Sequence, residues 1–245
     1  MRYKLTLQYD GSNYSGWQQQ KNAQTVQGTL IQAVQKVVTE ASGHYGELQG
    51  AGRTDAGVHA YGQVAHVEAD LNLNPAEFHE ALNALMPPSI HVVELKPASA
   101  RFHARHHAKS RQYVYRISRS RNPFERKYVC WVKEDLDLQK MTAALHAVEG
   151  FHDFASFSRK PKKEKSTQVH LESVELATEQ DLVLIRVKAS HFLWNMVRNL
   201  VGAAVEVGKG TVSDTFLADA LAAYNPDLKH YRMPPAGLFL EKIVY

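Results

Sequence analysis

Apolar residues recur in this chain with two periods, and the order in which those periods alternate is written twice. Tyr3, Leu5, Leu7 and Tyr9 alternate, which predicts a half-buried strand. Val26, Leu30, Val34 and Val37 return at helical spacing, followed by a short strand near Glu47 to Gln49 and another over Gly62 to Glu68. Asn74-Pro75-Ala76-Glu77 reads as a helix start, with Asn as N-cap, Pro at the first helical position and Glu placed to close a capping box. Phe78, Leu82 and Leu85 line that helix, Pro87-Pro88 stops it, and Ile90 to Leu95 makes a strand. The order then resumes with Arg111 to Ser118, which alternates. Asp137 caps a helix carrying Leu138, Met141, Leu145 and Val148, closed by Gly150. Val169 to Ala177 and Leu182 to Ala189 form a hairpin, and a helix runs from about Phe192 to Val207. Ser213 caps a further helix, and Gly237 to Tyr245 is extended. The pattern predicts an α+β chain of two ferredoxin-like (βαββαβ) halves, residues 1–104 and 105–245, joined side by side around a central basic cleft.

Charge narrows the class of partner. The net charge is +4, and its distribution says more than its total. Arg101, Arg105, Lys109, Arg111, Arg116, Arg119, Arg121, Arg126 and Lys127 crowd one stretch, and Arg159, Lys160, Lys162, Lys163 and Lys165 another. Either run alone fits a solvated loop. Two runs, one beside the aromatic strand of Tyr113 and Tyr115, favour a nucleic-acid track, because cations grip phosphates while aromatics stack bases. The single cysteine, Cys130, excludes an internal disulfide and a multi-thiolate metal site; between Val129 and Trp131 it reads as a small buried hydrophobe. No signal peptide and no membrane-length apolar run is present, so a cytoplasmic location is expected.

The candidate chemistry sits in Gly52-Arg53-Thr54-Asp55-Ala56-Gly57-Val58-His59-Ala60. Asp-Ala-Gly is ordinary turn chemistry, since Asp accepts a nearby backbone N–H and Gly takes positive φ. The surroundings are not ordinary: Arg53, Thr54 and His59 put three further polar groups at the tip of what would otherwise be a plain hairpin. A second feature lies on the helix near Arg198, where Asn195, Arg198, Asn199, Gly202 and Glu206 form a polar stripe. Such a stripe is commonly a solvated face. The bulky Phe192, Leu193 and Trp194 before it suit a largely buried helix instead, in which an arginine requires a carboxylate partner.

Six segments occur in a recognisable order: Gly52 to Ala60, Phe102-His103-Ala104-Arg105, Arg111-Gln112-Tyr113-Val114-Tyr115, Asp153-Phe154-Ala155-Ser156-Phe157, Met196-Val197-Arg198-Asn199 and Gly237-Leu238-Phe239-Leu240. Together they resemble the tRNA pseudouridine synthase A family over nearly the whole chain. His106-His107 departs from the family's Phe-Ser, and Asn195 stands where His is frequent. The resemblance implies an isomerase acting without cofactor or metal on uridines at tRNA positions 38 to 40, in the anticodon stem-loop. It implies a homodimer with tRNA across both subunits. Asp55 would be the catalytic carboxylate, paired with Arg198, with Tyr113 stacking on the flipped base and Leu238 packing under the ribose or base, where plain core packing is the alternative. Arg53, His59, Arg105 and Arg111, with Lys160, Lys162 and Lys163, make up the expected RNA-binding set.

Two other readings compete. Ferredoxin-like halves with exposed aromatics also describe non-catalytic RNA-recognition modules, but a binder gains nothing from an acidic group in a groove for phosphates. A metallohydrolase using His103, His106 and His107 lacks any H-E-x-x-H pattern or paired carboxylate.

Overall fold

The computed structural model describes residues 1–158 and 166–245. Its strands are β1 (Arg2–Tyr9), β2 (His44–Gly50), β3 (His59–Asp70), β4 (Ile90–Ala98), β5 (Ser110–Ser118), β6 (Cys130–Trp131), β7 (Gly150–Asp153), β8 (Gln168–Glu179), β9 (Leu182–Ala189) and β10 (Leu238–Val244). Its α-helices are α1 (Val26–Glu40), α2 (Pro75–Leu85), α3 (Leu138–His146), α4 (Met196–Lys209) and α5 (Phe216–Ala222). The α+β class follows. Two compact units are formed, one of Met1–Lys109 with Phe239–Tyr245, the other of Ser110–Leu238.

In the first unit β1 lies between β4 and β3, antiparallel to both, and β2 lies antiparallel on β3. That neighbour order, 4-1-3-2 with helices after the first and third strands, is the ferredoxin-like arrangement expected of the sequence. Alternation sends Tyr3, Leu5, Leu7 and Tyr9 into the core, where all are buried. Phe78 and Leu82 of α2 have no exposed surface, and Phe78 meets Tyr3 edge-on at 5.3 Å. Burial of each such side chain contributes about 2 kcal/mol. The α2 capping box forms as read: Asn74 accepts from the amides of Ala76 and Glu77, and Glu77 accepts from the Asn74 amide. The start of β3, His59 and Ala60, pairs in parallel with Phe239 and Leu240 of β10.

The opposite face of β1, bearing Arg2 and Lys4, is covered by residues 99–108 and Tyr245. Arg2 Nη1 donates to the Phe102 carbonyl (2.7 Å), Tyr245 Oη donates to the Ala104 carbonyl (2.7 Å), and Lys4 Nζ stands 4.4 Å from the Tyr245 ring centre.

In the second unit β5, β9, β8 and β7 follow one another antiparallel, and β6 pairs in parallel with the end of β5. Asp137 caps α3 as expected, accepting from the Gln139 and Lys140 amides. Three expectations shift. The helix read from Phe192 begins at Met196, because Asn195 is left-handed at φ 64 and breaks the helical path before it. Thr215, not Ser213, is the residue before α5. The short strands β6 and β7, and 3₁₀ turns at Ala155–Phe157 and Pro226–Tyr231, were not foreseen. Cys130 is half-buried, and burial pushes its thiol upward, which suits the packing role read from its neighbours. No helix among the described residues is long and apolar enough to cross a membrane.

Candidate active site

The loop from Ala51 to Val58 is tied down at nearly every peptide. Ala51 N–H donates to the Val64 carbonyl (2.8 Å), and Gln63 Nε2, with no exposed surface, donates to the Gly52 carbonyl (2.9 Å). The Thr54 carbonyl accepts from the Trp17 amide (3.0 Å), and its hydroxyl bonds Tyr9 Oη (2.8 Å). The Val58 amide donates back to the Asp55 carbonyl (3.2 Å), closing the turn, and Gly57 takes φ 77 while donating to the Tyr14 carbonyl (3.3 Å). Asp55 is half-buried between buried Thr54 and exposed Ala56; Arg53 is exposed. A carboxylate is thus carried on a backbone that cannot readily move.

Two glycines outside the motif let neighbouring backbone close on it. At Gly16, φ is 89 and a Cβ would stand 2.6 Å from the Thr54 carbonyl oxygen. At Gly11 a Cβ would stand 2.0 Å from the Val58 carbonyl oxygen. His59 is 1% exposed and stacks on Phe239 with ring centres 4.5 Å apart. Its Nδ1 lies 3.1 Å from the Gly11 amide nitrogen and 3.2 Å from the Asp10 carboxylate. Asp10 in turn holds the Ser12 amide and hydroxyl.

In the second unit Arg198 occupies the first turn of α4. Its Nε donates to the Met233 carbonyl (2.7 Å) and its Nη1 to Asn195 Oδ1 (3.3 Å), while the Met233 amide donates to the Arg198 carbonyl (3.2 Å). Tyr113 is 8% exposed, its ring edge-on to Phe192 at 5.1 Å. Tyr115 Oη donates to the Pro234 carbonyl (2.7 Å), and burial drives its phenol well above the ordinary range. Gly237 lies so close to β5 that a Cβ would stand 2.7 Å from the Arg116 carbonyl oxygen, which sets the buried Leu238 beside that strand.

Comparison with known proteins decides what this machinery belongs to. The sequence model of the family described as tRNA pseudouridine synthase matches residues 6–107 and 144–245. The chain belongs to the tRNA pseudouridine synthase family. Members are isomerases that convert uridine to pseudouridine in tRNA. The chain is similar to tRNA pseudouridine synthase A 2 of Bacillus anthracis, 37% identical over 99% of both chains. It is also similar to tRNA pseudouridine synthase A of Bartonella tribocorum, 38% identical over all of this chain and 99% of that one. A chain of a solved Cbf5-Nop10-Gar1 complex aligns over 82% of this chain and 54% of that one, at 12% identity and a TM-score of 0.31, which carries no argument.

For a tRNA pseudouridine synthase, the remaining residues sort by exposure. Arg53 and Arg105 are exposed. Arg111 is half-buried and donates to the Ser190 carbonyl (2.8 Å). Lys160, Lys162 and Lys163 lie outside the described residues. His59 was expected to touch RNA; its burial makes it instead a brace between the Gly11 loop and the Asp55 turn. His103 and His107 use ring nitrogens on their own loop: His103 Nδ1 accepts the Arg105 and His106 amides (3.2 and 3.3 Å), and His107 Nδ1 accepts the His103 amide (3.4 Å). Among the described residues no group of three or more His, Cys, Asp or Glu is placed to hold a metal ion. Sequence reasoning missed the supports: Tyr9, Tyr14, Trp17 and Gln63 around the turn, and Met233 beside Arg198. The turn-forming Asp10-Gly11-Ser12 and the isolated Gly16 were the available signals.

Proposed function

We propose that this tRNA pseudouridine synthase isomerises uridines at positions 38 to 40 of the anticodon stem-loop, with Asp55 as its catalytic carboxylate. The observation that carries the reading is the Ala51–Val58 loop, in which the Thr54 and Asp55 carbonyls and the Gly57 and Val58 amides are all hydrogen-bonded while the carboxylate-bearing residue itself keeps access to solvent. Isomerisation breaks the N1–C1′ bond, turns the uracil and forms a C5–C1′ bond; the proton on C5 is lost and N1 gains one. Asp55 either attacks C1′ or removes the C2′ proton to start this sequence. Both routes need an ionised carboxylate, which a facing guanidinium favours. Arg198 is our candidate for that role; its guanidinium donates to the Met233 carbonyl and to Asn195 Oδ1.

A paired or stacked uridine must leave the helix to react, at a cost of a few kcal/mol. Tyr113 stacks on the extruded base and Leu238 packs beneath it. Arg53, Arg105 and Arg111, with Lys160, Lys162 and Lys163, hold the RNA backbone by charge and shape. The enzyme works as a homodimer in the cytoplasm and requires no cofactor. Incubation with an unmodified tRNA transcript, followed by position-resolved mapping, tests this. Pseudouridine at 38 to 40 is expected; pseudouridine confined to another arm would refute the site assignment, and none at all would refute the activity.

A further inference from the structure

Asn195 is a non-glycine residue in the left-handed region, at φ 64 and ψ 4. It precedes α4, where Asn normally turns its side chain onto the first free amides of the helix. Here no such capping bond is made. The Asn195 side-chain oxygen accepts from Arg198 Nη1 at 3.3 Å instead. Two local costs therefore coincide at one residue: a left-handed backbone and a helix start without its usual side-chain cap. Sites where local preference is overridden at such cost are characteristically functional.

The rest of the surroundings serves the same guanidinium. Arg198 Nε donates to the Met233 carbonyl at 2.7 Å, and Met233 N–H returns a bond to the Arg198 carbonyl. The segment carrying Met233 approaches α4 this closely because Gly202, one turn beyond Arg198, has no side chain. A Cβ there would stand 1.7 Å from the Tyr231 carbonyl oxygen. Asn199, 2% exposed, points its amide elsewhere, to the Phe157 carbonyl (2.8 Å). Arg198 is thus clamped from one side by a main-chain carbonyl and from the other by Asn195.

We infer that Asn195 is a positioning residue for the isomerisation: it sets the plane of the Arg198 guanidinium, and its left-handed backbone is what brings its amide oxygen to Nη1. The inference rests on the reading of Arg198 as the partner of Asp55.

The test uses Asn195→Gly, Arg198→Lys and the double variant in the full chain, assayed on an unmodified tRNA transcript. Glycine takes positive φ without strain and no cap is lost, so Asn195→Gly melts at or above the parent temperature. Its kcat falls on the order of tenfold while transcript affinity holds, as expected of a misaimed group. The acid limb of its kcat–pH profile moves to higher pH, because a misaimed guanidinium favours the ionised carboxylate less. In the Arg198→Lys background the same substitution adds no further loss. A parental kcat and pH limb in Asn195→Gly, with Arg198→Lys impaired, overturns the inference alone. An equal loss from Asn195→Gly in both backgrounds also overturns it, since Asn195 would then act on something else. A parental kcat in Arg198→Lys overturns the reading of Arg198 on which it stands.

Discussion

Gly16 shows how far the support of one carboxylate extends beyond its own motif. It lies 39 positions before Asp55 in the chain, yet its missing side chain is what lets the Thr54 carbonyl reach the Trp17 amide. Gly16→Ala would combine a positive φ with a Cβ 2.6 Å from that carbonyl oxygen. The backbone strain alone costs roughly 1–3 kcal/mol. We expect a lower melting temperature and, because a displacement of about 1 Å at a reacting group can cost on the order of a hundredfold, a comparable fall in kcat with little change in tRNA affinity. Parallel melting and single-turnover measurements check both. The same logic explains which residues could be read from sequence. Asp55 announced itself through company that a plain turn does not need. Met233 could not: it meets Arg198 through a main-chain carbonyl 35 residues away, and a carbonyl carries no side-chain signature.

At the scale of elements, α2 was legible to its last detail because Asn74, Pro75 and Glu77 specify a start by purely local chemistry. The beginning of α4 was not, because helical periodicity continues through Phe192 and Leu193 while the backbone at Asn195 is left-handed and carries no local sequence signal. β6 spans two residues and β7 four, too few for alternation to register. The segment over residues 99–108 is held by histidines acting as acceptors, which makes it sensitive to acid. His66 Nδ1 accepts the Ala104 amide (3.2 Å) and His103 Nδ1 the Arg105 amide (3.2 Å), and protonation would turn each acceptor into a donor. Burial is the main cause that lowers both histidines from their ordinary value; for His103 the neighbouring His106 and His66 add to it. The folded state then binds fewer protons than the unfolded chain, so the stabilisation is complete above a pH of about 6.5 and is lost as pH falls below it. Melting temperature should decline from pH 7.5 to about pH 5, and His103→Asn should flatten that decline. An equally steep decline in the variant would remove His103 from the account.

At the scale of the molecule, the order of elements carried the α+β reading, and the family match covers both halves of the chain. The second compact unit runs from Ser110 to Leu238, while Phe239–Tyr245 belongs to the first, so the units do not divide the chain at a single point. Charge was legible as a total and as runs, while the exposure of each cation was not: Arg53 and Arg105 face solvent, and Arg111 is committed in part to the Ser190 carbonyl. In this account affinity comes from positive charge spread over the surface, and chemistry from one carboxylate. Those two properties separate in Asp55→Asn, which keeps the shape of the side chain and removes its charge. The direct measurement is pseudouridine formation by this variant under single-turnover conditions, alongside its affinity for the same transcript. The account predicts no detectable product and an affinity within about threefold of the parent or tighter, since one negative charge has left a surface that binds phosphates. Product formed at a rate near that of the parent would contradict it.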